Sequence, residues 1–371
     1  DTETVAHRIH FNLQNADDFV GAVRMTVAEL EGAYAIAVIS ADQPEQLVIA
    51  RQGAPAVVGL GIDENFVASD VAALLPVTRN FQFLEEGDVA LVERKQVTIW
   101  DERGNVVDRP VRESALDADA AERGEFRHYM LKEIYEQPAA VARTLDGRIA
   151  DGRVLDASFG PLANDALDKT RNVHIVACGT SYHAGLVARY WIESLCRLPC
   201  TVEIASEYRY RNPVVPENSL FVTISQSGET ADTLAALRAA REAGYISTLT
   251  ICNVPESSMV RESDLTMMTH AGPEIGVAST KAFTTQLAAL ALLTISLARR
   301  NGLEERHERA LTAQLVETPK LLNEVLSLDE SIEALAAHFA DKHHALFLGR
   351  GAQNPIAMEA VSYTHLRAHE T

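Results

Sequence analysis

The strongest constraint on the fold is an alternation of short apolar runs with longer stretches of helical spacing, which begins near residue 170. The apolar runs predict strands at 173–177, 200–204, 220–224, 248–252 and 265–268. Helical spacing lies between or after them, at 182–195, 231–243 and 281–299. Nearly continuous apolar runs are typical of strands buried on both faces of a parallel sheet. The pattern therefore predicts an α/β fold with a doubly wound parallel sheet and right-handed crossovers.

The first 110 residues follow a different pattern, which predicts the rear part of an α+β domain. Helical spacing runs from Phe19 to Leu30, and Gly32 ends it. Short strands are then predicted at 34–39, 46–51, 56–60, 65–68, 89–93 and 96–101. Because Gly or Asp occupies the turns between them, most of these strands are expected to pair antiparallel. The chain opens on Asp1, in a helix-like pattern and without an initiator methionine, so we expect it to be a fragment.

Changes of composition divide the rest of the chain. An acidic stretch poor in large apolar side chains predicts a linker, and a helix that ends before Pro138 is expected to follow it. A strand predicted at 345–348 indicates that a second α/β unit begins near the end of the chain. The predicted organisation is an α+β part at 1–110, a linker at 111–125, an α/β domain with a leading helix at 126–325, a second unit at 326–360 and a non-native tail at 361–371.

Charge and composition exclude several classes of function. The formal net charge of −19 argues against a broad nucleic-acid surface, which requires a basic stripe, but a small anion could still bind at helix N-termini. The most apolar stretch, 283–298, is shorter than a membrane span and contains Thr, Ser and Gln, so a buried helix is expected. The four cysteines form no CxxC pattern, which favours reduced thiols and a cytoplasmic protein. We expect neither nucleic acid nor membrane as a partner.

Three polar segments follow predicted strands of the parallel sheet, where ligands bind in open α/β folds. The first, 178–181, offers the hydroxyls of Thr180 and Ser181 at a helix start, but ordinary helix capping explains it equally well. The second, 225–230, places three hydroxyls and one amide around Gly228, more than a cap requires, and favours phosphate binding. The third, 272–281, has small residues that would allow a ligand to approach the backbone, with Lys281 at its end.

Competing motifs are weak. The chain contains neither a P-loop nor a G-x-G-x-x-G after a strand, which disfavours nucleotides. His343 and His344 are consecutive on a predicted strand approach and should point to opposite faces, so they do not predict a metal site. Cys178 has no His-rich partner motif and is better explained as a packed thiol than as a nucleophile.

Together the three segments resemble the sugar isomerase (SIS) domain of the bacterial glutamine–fructose-6-phosphate aminotransferase (isomerizing) family. The resemblance includes Glu274–Thr284, extends to His128–Pro138 and runs in order from Asp1 to about Ala360. It implies that a flavodoxin-like SIS domain is preceded by the C-terminal part of an α+β N-terminal-nucleophile glutaminase domain. It also implies an enzyme, commonly a homodimer, that makes glucosamine 6-phosphate and glutamate from fructose 6-phosphate and glutamine without metal or organic cofactor.

The resemblance also implies roles for particular residues. Two sets are expected to contact the sugar phosphate, and Asp1 matches a glutamine-binding aspartate. The phosphate-holding set is Ser181, Ser225, Gln226, Ser227 and Thr230, and the set lining the sugar pocket is Thr180, Val277 and Ser279.

Departures from the family pattern limit what this chain is expected to do. The family's nucleophilic cysteine, its Schiff-base lysine and its isomerase glutamate have no counterpart within the chain. We therefore expect phosphosugar binding without catalysis, and no catalytic residue is assigned. Two alternatives are a non-catalytic SIS-domain protein and a single-domain phosphosugar isomerase, and the 1–110 region argues against both.

Overall fold

The computed structural model describes residues 2–114 and 123–365, which form two compact units divided between Glu122 and Arg123. Each unit is described by itself below. Asp1, most of the predicted linker and the last six residues of the predicted tail lie outside the described residues.

The first unit is an α+β assembly of helices and two antiparallel sheets. Its helices are α1 (Thr2–Asn12) and α2 (Phe19–Val27), and the side chain of Asp18 caps α2 by accepting from the N–H of Gly21 at 2.6 Å. The strands are β1 (Tyr34–Ser40), β2 (Gln43–Gln52), β3 (Val57–Leu60), β4 (Asn65–Ala68), β5 (Asn80–Phe83), β6 (Val89–Val92), β7 (Val97–Trp100), β8 (Val106–Val107) and β9 (Val111–Glu113). One sheet has the order β1-β2-β6-β7-β8, and the other has the order β4-β3-β5-β9.

The two sheets of this unit share a core, and the helices cover the outer face of the first sheet. Along β2, Val48 and Ala50 pack against α1 and α2, whereas Ile49 packs with Val58 of the second sheet. Alternating side chains of one strand thus serve two apolar layers, as the period-two geometry of a strand requires. All six predicted strands are present, β4 with the predicted bounds and the other five with shifted ends, and β5, β8 and β9 were not predicted.

The predicted linker at 111–125 needs a correction at its start. Val111–Glu113 form β9, which pairs antiparallel with β5, so these residues belong to the second sheet of the first unit. Their exposed side chains explain why composition alone indicated a linker: an edge strand needs backbone hydrogen bonds but not apolar side chains.

The second unit opens with helix α3 (Tyr129–Leu145), which passes through Pro138 instead of ending before it. Proline has no N–H and leaves the carbonyl of the residue four positions earlier without its helical donor. Here that carbonyl belongs to Ile134, and the side-chain amide of Gln137 donates to it at 3.0 Å. The neighbouring side chain replaces the missing backbone donor, and the prediction that proline ends this helix was wrong for that reason.

The centre of the second unit is a five-stranded parallel sheet with the order β13-β12-β14-β15-β16. Numbered by appearance within the sheet, this order is 2-1-3-4-5, the flavodoxin-like form of the doubly wound fold. The predicted fold class is confirmed. The sheet strands are β12 (Asn172–Ala177), β13 (Cys200–Ile204), β14 (Ser219–Ser225), β15 (Ser247–Cys252) and β16 (Leu265–Met268), and a small hairpin pairs β10 (Ile149–Ala150) with β11 (Arg153–Val154).

Helices cover both faces of this sheet. On one face, Ile175 and Val222 pack against α5 and α9, and on the other Val176 and Phe221 pack against α6, α7 and α8. Helix α9 contains the apolar stretch at 283–298; it is long and apolar enough to cross a membrane, but 83% of its apolar 18-residue window is buried in the fold. The helices are α4 (Ala163–Lys169), α5 (Gly179–Trp191), α6 (Ala205–Tyr208), α7 (Ala231–Glu242), α8 (Ser258–Glu262) and α9 (Lys281–Arg300).

Beyond the sheet the chain continues as α10 (Glu305–Leu326), α11 (Asp329–Ala336) and α12 (Asn354–His365). The strand predicted at Ala345–Leu348 is not formed; these residues have irregular backbone, and Leu346 and Leu348 are more than 80% exposed. A strand requires a neighbour to satisfy its N–H and C=O groups. No segment among the described residues pairs with 345–348, so the apolar run alone does not produce a strand.

Candidate functional site

The carboxyl ends of β12 and β14 form the topological switch point of the sheet. These strands are neighbours, and the crossovers that leave them lead to opposite sides, to β13 and to β15. A crevice opens at such a point, and ligands of doubly wound folds bind there. Two of the three predicted polar segments follow these two strands directly, at 178–181 and 225–230.

The 225–230 turn is closed by its own hydroxyl groups. Ser225 Oγ accepts from the N–H of Gly228 at 2.9 Å and lies 3.2 Å from Thr230 Oγ1. Ser227 Oγ accepts from the N–H of Glu229 at 3.2 Å. Since a hydroxyl that accepts a hydrogen bond still carries its own hydrogen, Ser227 remains able to donate, and the Ser225–Thr230 pair, which uses one hydroxyl hydrogen internally, keeps the other. Thr230 is the N-cap of α7 but makes no capping hydrogen bond with its side chain.

Gly228 fixes the shape of this turn. Its φ of +68° lies in the left-handed region, and a Cβ at this position would overlap Ser257 and lie 2.8 Å from Cys252 Sγ. The turn therefore packs directly on the segment after β15, where the N–H of Met259 also donates to the carbonyl of Gly228 at 3.1 Å. Burial raises the pKa of the Cys252 thiol, which keeps this group a packed thiol.

The 178–181 segment forms the first turn of α5. Its N-cap is Cys178, which makes no capping hydrogen bond, so Thr180 and Ser181 lie inside the helix and are not caps. Thr180 Oγ1 donates to Glu359 Oε1 of α12 at 2.7 Å, and Glu359 Oε2 lies 2.6 Å from Nδ1 of His183. The capping explanation that the sequence left open is therefore excluded for these two hydroxyls.

A side chain of α9 reaches the same turn. Gln286 is 2% exposed, and its Nε2 donates to Ser181 Oγ at 3.0 Å. Its Oε1 is buried, with no hydrogen-bond partner in the described part of the chain. Neither Gln286 nor Glu359 was assigned a role from the sequence. For Gln286 the available signal was an amide side chain in a mostly apolar helical stretch, whereas the sequence around Glu359 contains no such signal.

The third segment is held in place by two carboxylates, of which Glu133 is buried and Glu274 is half-buried. Glu133 of α3 is 2% exposed, and its Oε1 accepts from the N–H groups of Ile275 and Gly276 at 2.6 and 3.0 Å. Burial raises the pKa of Glu133. Glu274 Oε1 accepts from the N–H of Thr280 at 2.8 Å and thereby caps α9.

Lys281 does not present a free charge to this edge. It is 2% exposed, and its Nζ lies 2.5 Å from Glu136 Oε2, so the pair is internally neutralised. This cation therefore anchors α9 on α3. An anion at this edge must therefore depend on hydroxyl and backbone N–H donors.

The eight predicted sugar-phosphate residues differ in their surroundings. Thr180, Ser181 and Ser225 are buried, Gln226, Ser227, Thr230 and Ser279 are half-buried, and Val277 is the most exposed at 55%. Hydrogen bonds tie two of the segments to neighbouring parts of the fold: Asn253, after β15, donates to the carbonyl of Gly272 at 2.8 Å, and Gln286 of α9 donates to Ser181. No described contact joins Val277 to the other two segments. Asp1 lies outside the described residues.

Comparisons with known proteins agree with these features. The SIS domain family matches residues 166–296, which include the parallel sheet and all but the last turn of α9. Over its whole length the chain is 56% identical to the glutamine–fructose-6-phosphate aminotransferase (isomerizing) of Shewanella oneidensis and 55% identical to that of Pseudomonas aeruginosa. The chain spans 62% of the length of each of these curated relatives.

A solved structure agrees with these sequence comparisons. The C-terminal domain of glucosamine-fructose-6-phosphate aminotransferase from Francisella tularensis is 51% identical, with a TM-score of 0.64. The match covers 66% of this chain and 70% of that one. The resemblance found in the sequence motifs is confirmed, and the chain belongs to the glutamine–fructose-6-phosphate aminotransferase (isomerizing) family.

Proposed function

We propose that this chain binds fructose 6-phosphate and glucosamine 6-phosphate at the carboxyl edge of its parallel sheet. The observation that carries the proposal is the 225–230 turn, whose two serine hydroxyls accept backbone N–H groups, which leaves the hydrogen of Ser227 and one hydrogen of the Ser225–Thr230 pair available to a ligand. A phosphate dianion needs several donors that converge on it, and this turn supplies them at a switch point of the sheet.

Two helices support the phosphate end of the site. Helix α5 begins within the 178–181 segment, at Gly179, and α7 begins directly after the 225–230 segment, at Ala231; neither N-cap side chain occupies the free N–H groups of its helix. Such helix starts favour anions through these N–H groups and the helix dipole. In this assignment Ser181, Ser225, Gln226, Ser227 and Thr230 hold the phosphate, and Thr180, Val277 and Ser279 line the sugar pocket.

We propose further that the longer protein makes glucosamine 6-phosphate and glutamate from fructose 6-phosphate and glutamine. The names of the relatives support this activity, and the first unit supports a protein with more than a phosphosugar-binding domain. In that protein Asp1 would contact glutamine, no cofactor would be needed, and the enzyme would be a cytoplasmic homodimer. The present chain is expected to turn nothing over, because it contains none of the family's three catalytic groups.

Isothermal titration calorimetry tests the binding proposal. We expect fructose 6-phosphate to bind the chain and fructose to bind much more weakly, and the Ser225→Ala/Ser227→Ala variant to lose about 10-fold or more in affinity. Ser194→Ala/Ser327→Ala is the matched control, because both of these serines are exposed and lie on helix ends outside the three segments. Equal affinities for the site variant and the control would refute the assignment.

A glutamate-release assay tests the absence of turnover. The chain is incubated with glutamine, with and without fructose 6-phosphate, and glutamate is measured over time. We expect no release above the buffer background, and any glutamine hydrolysis that scales with the concentration of the chain would contradict the proposal.

A further inference from the structure

The side chain of Gln286 determines the hydrogen-bond direction of the hydroxyl of Ser181, one of the residues proposed to hold the phosphate. Its Nε2 donates to Ser181 Oγ at 3.0 Å, and this is the hydrogen bond that the described residues provide to that hydroxyl. A serine hydroxyl has one hydrogen and two lone pairs, and the amide occupies a lone pair. The hydrogen of Ser181 therefore remains available to an acceptor outside the described residues.

The serines of the other segment share this arrangement. Ser225 and Ser227 each accept from a backbone N–H, of Gly228 and Glu229 respectively. Ser181 lies in the first turn of a helix, where no backbone N–H reaches its side chain, and the amide of Gln286 provides the equivalent donor from α9. Ser181 and Ser227 are thus occupied as acceptors by the protein and left free as donors, and the Ser225–Thr230 pair uses one of its two hydroxyl hydrogens internally and keeps the other.

Stability does not explain an amide at this position. Gln286 is 2% exposed in a helix whose neighbouring buried residues include Ala288, Ala289 and Leu290. Its Oε1 is buried without a hydrogen-bond partner among the described residues, which is unfavourable. Methionine has a similar volume and no polar atom to bury, so packing alone would favour it.

We infer that Gln286 is a positioning residue that orients the hydroxyl of Ser181 so that its hydrogen is donated to the phosphate of the bound sugar. The inference rests on the proposed phosphosugar function of this edge. The direction of this hydrogen bond matters because the nearby cation Lys281 is paired with Glu136. If the hydroxyl turned a lone pair toward the phosphate, phosphate binding would weaken, and Lys281 would not offset the loss.

Calorimetry with fructose 6-phosphate on Gln286→Glu tests the inference. At mildly alkaline pH the new carboxylate can only accept, so Ser181 must donate to it and present a lone pair to the ligand. We expect the Gln286→Glu change to weaken binding about 10- to 100-fold, the worth of one hydrogen bond to a charged group. Gln314→Glu, the same change at an exposed position of α10, is the control and should bind as the unmodified chain does.

A double-mutant cycle separates hydroxyl direction from added charge. In a Ser181→Ala background the Gln286→Glu change should have no further effect on affinity, because there is no hydroxyl left to orient. A loss of the same size in that background would be a charge effect and would overturn the inference. Normal affinity of Gln286→Glu in the native background would overturn it as well.

A neutral variant guards against a change in folding. Gln286→Met should keep the far-ultraviolet circular dichroism of the chain and bind more weakly than the control, and Ser181→Ala should remove that difference. Equal affinities of the Gln286→Met variant and the control for fructose 6-phosphate would contradict the inference. If the unmodified chain bound no fructose 6-phosphate, the proposed function itself would be refuted. If the chain bound fructose 6-phosphate with an affinity that did not depend on Gln286, only the inference about Gln286 would be refuted.

Discussion

Replacing Gly228 by alanine should destabilise the second unit through two separable effects. The first is the left-handed backbone, with φ +68°, which costs a residue with a Cβ about 1–2 kcal/mol. The second is overlap, because the new Cβ would occupy the position of Ser257 Oγ and lie 2.8 Å from Cys252 Sγ. Overpacking of this kind costs about 1–3 kcal/mol. The free energy of unfolding should therefore fall by about 2–5 kcal/mol.

Gly244 offers a control that isolates the backbone effect. It also has a left-handed backbone, with φ +89°, but nothing lies within 4 Å of the Cβ that alanine would add. Gly244→Ala should cost only the backbone part, about 1–2 kcal/mol. The difference between the two variants then measures the contact with Ser257, and Ser257→Gly should recover part of it in the Gly228→Ala background.

The assay is urea unfolding followed by tryptophan fluorescence. The chain has two tryptophans, Trp100 in the first unit and Trp191 in the second, so a Trp100→Phe background reports the second unit alone. Equal unfolding free energies for Gly228→Ala and Gly244→Ala would refute the claim that the 225–230 turn packs directly against Ser257.

Two further predictions concern buried polar groups of α3. Burial raises the pKa of Glu133, so its carboxyl ionises at lower pH in the unfolded chain, near the ordinary value of 4.5, than in the folded one. The folded state should lose stability as pH rises from that value to the raised pKa, and Glu133→Gln should remove this loss, measured as urea unfolding across the acidic range. Gln137→Leu removes the side-chain amide that donates to the carbonyl of Ile134 in place of Pro138 and should cost about 0.5–1.5 kcal/mol, whereas Gln314→Leu at an exposed position of α10 should cost little. A flat pH profile for native Glu133, or equal costs for the two leucine variants, would contradict these accounts.

The sequence predicts the sheet of the second unit because its inner strands, β12, β14 and β15, are buried on both faces and are therefore almost continuously apolar. It predicts the 225–230 turn for a related reason, since hydroxyls around a glycine between strand and helix form a local signal. The run at Ala345–Leu348 is equally apolar but has no neighbouring strand among the described residues, so the same signal gives the wrong structure there. Proline at 138 misleads in the opposite direction, because a side chain next to it supplies the missing donor.

Residues that act across the fold leave little trace in the local sequence. Gln286 reaches Ser181 across 105 positions of the chain, and Glu133 reaches the 275–276 backbone across more than 140. Each is one polar residue on a helix, and helical spacing alone does not show which segment it faces. Their partners are known only once the sheet and its crossovers are placed.

The central claim is that fructose 6-phosphate binds at the carboxyl ends of β12 and β14. Backbone amide nuclear magnetic resonance of the chain, titrated with fructose 6-phosphate and separately with fructose, tests it most directly. We predict that the largest shift changes fall at 179–182 and 226–233 with the phosphorylated sugar and are much smaller with fructose. Changes of equal size with both sugars, or changes that fall mainly outside these two segments, would contradict the account.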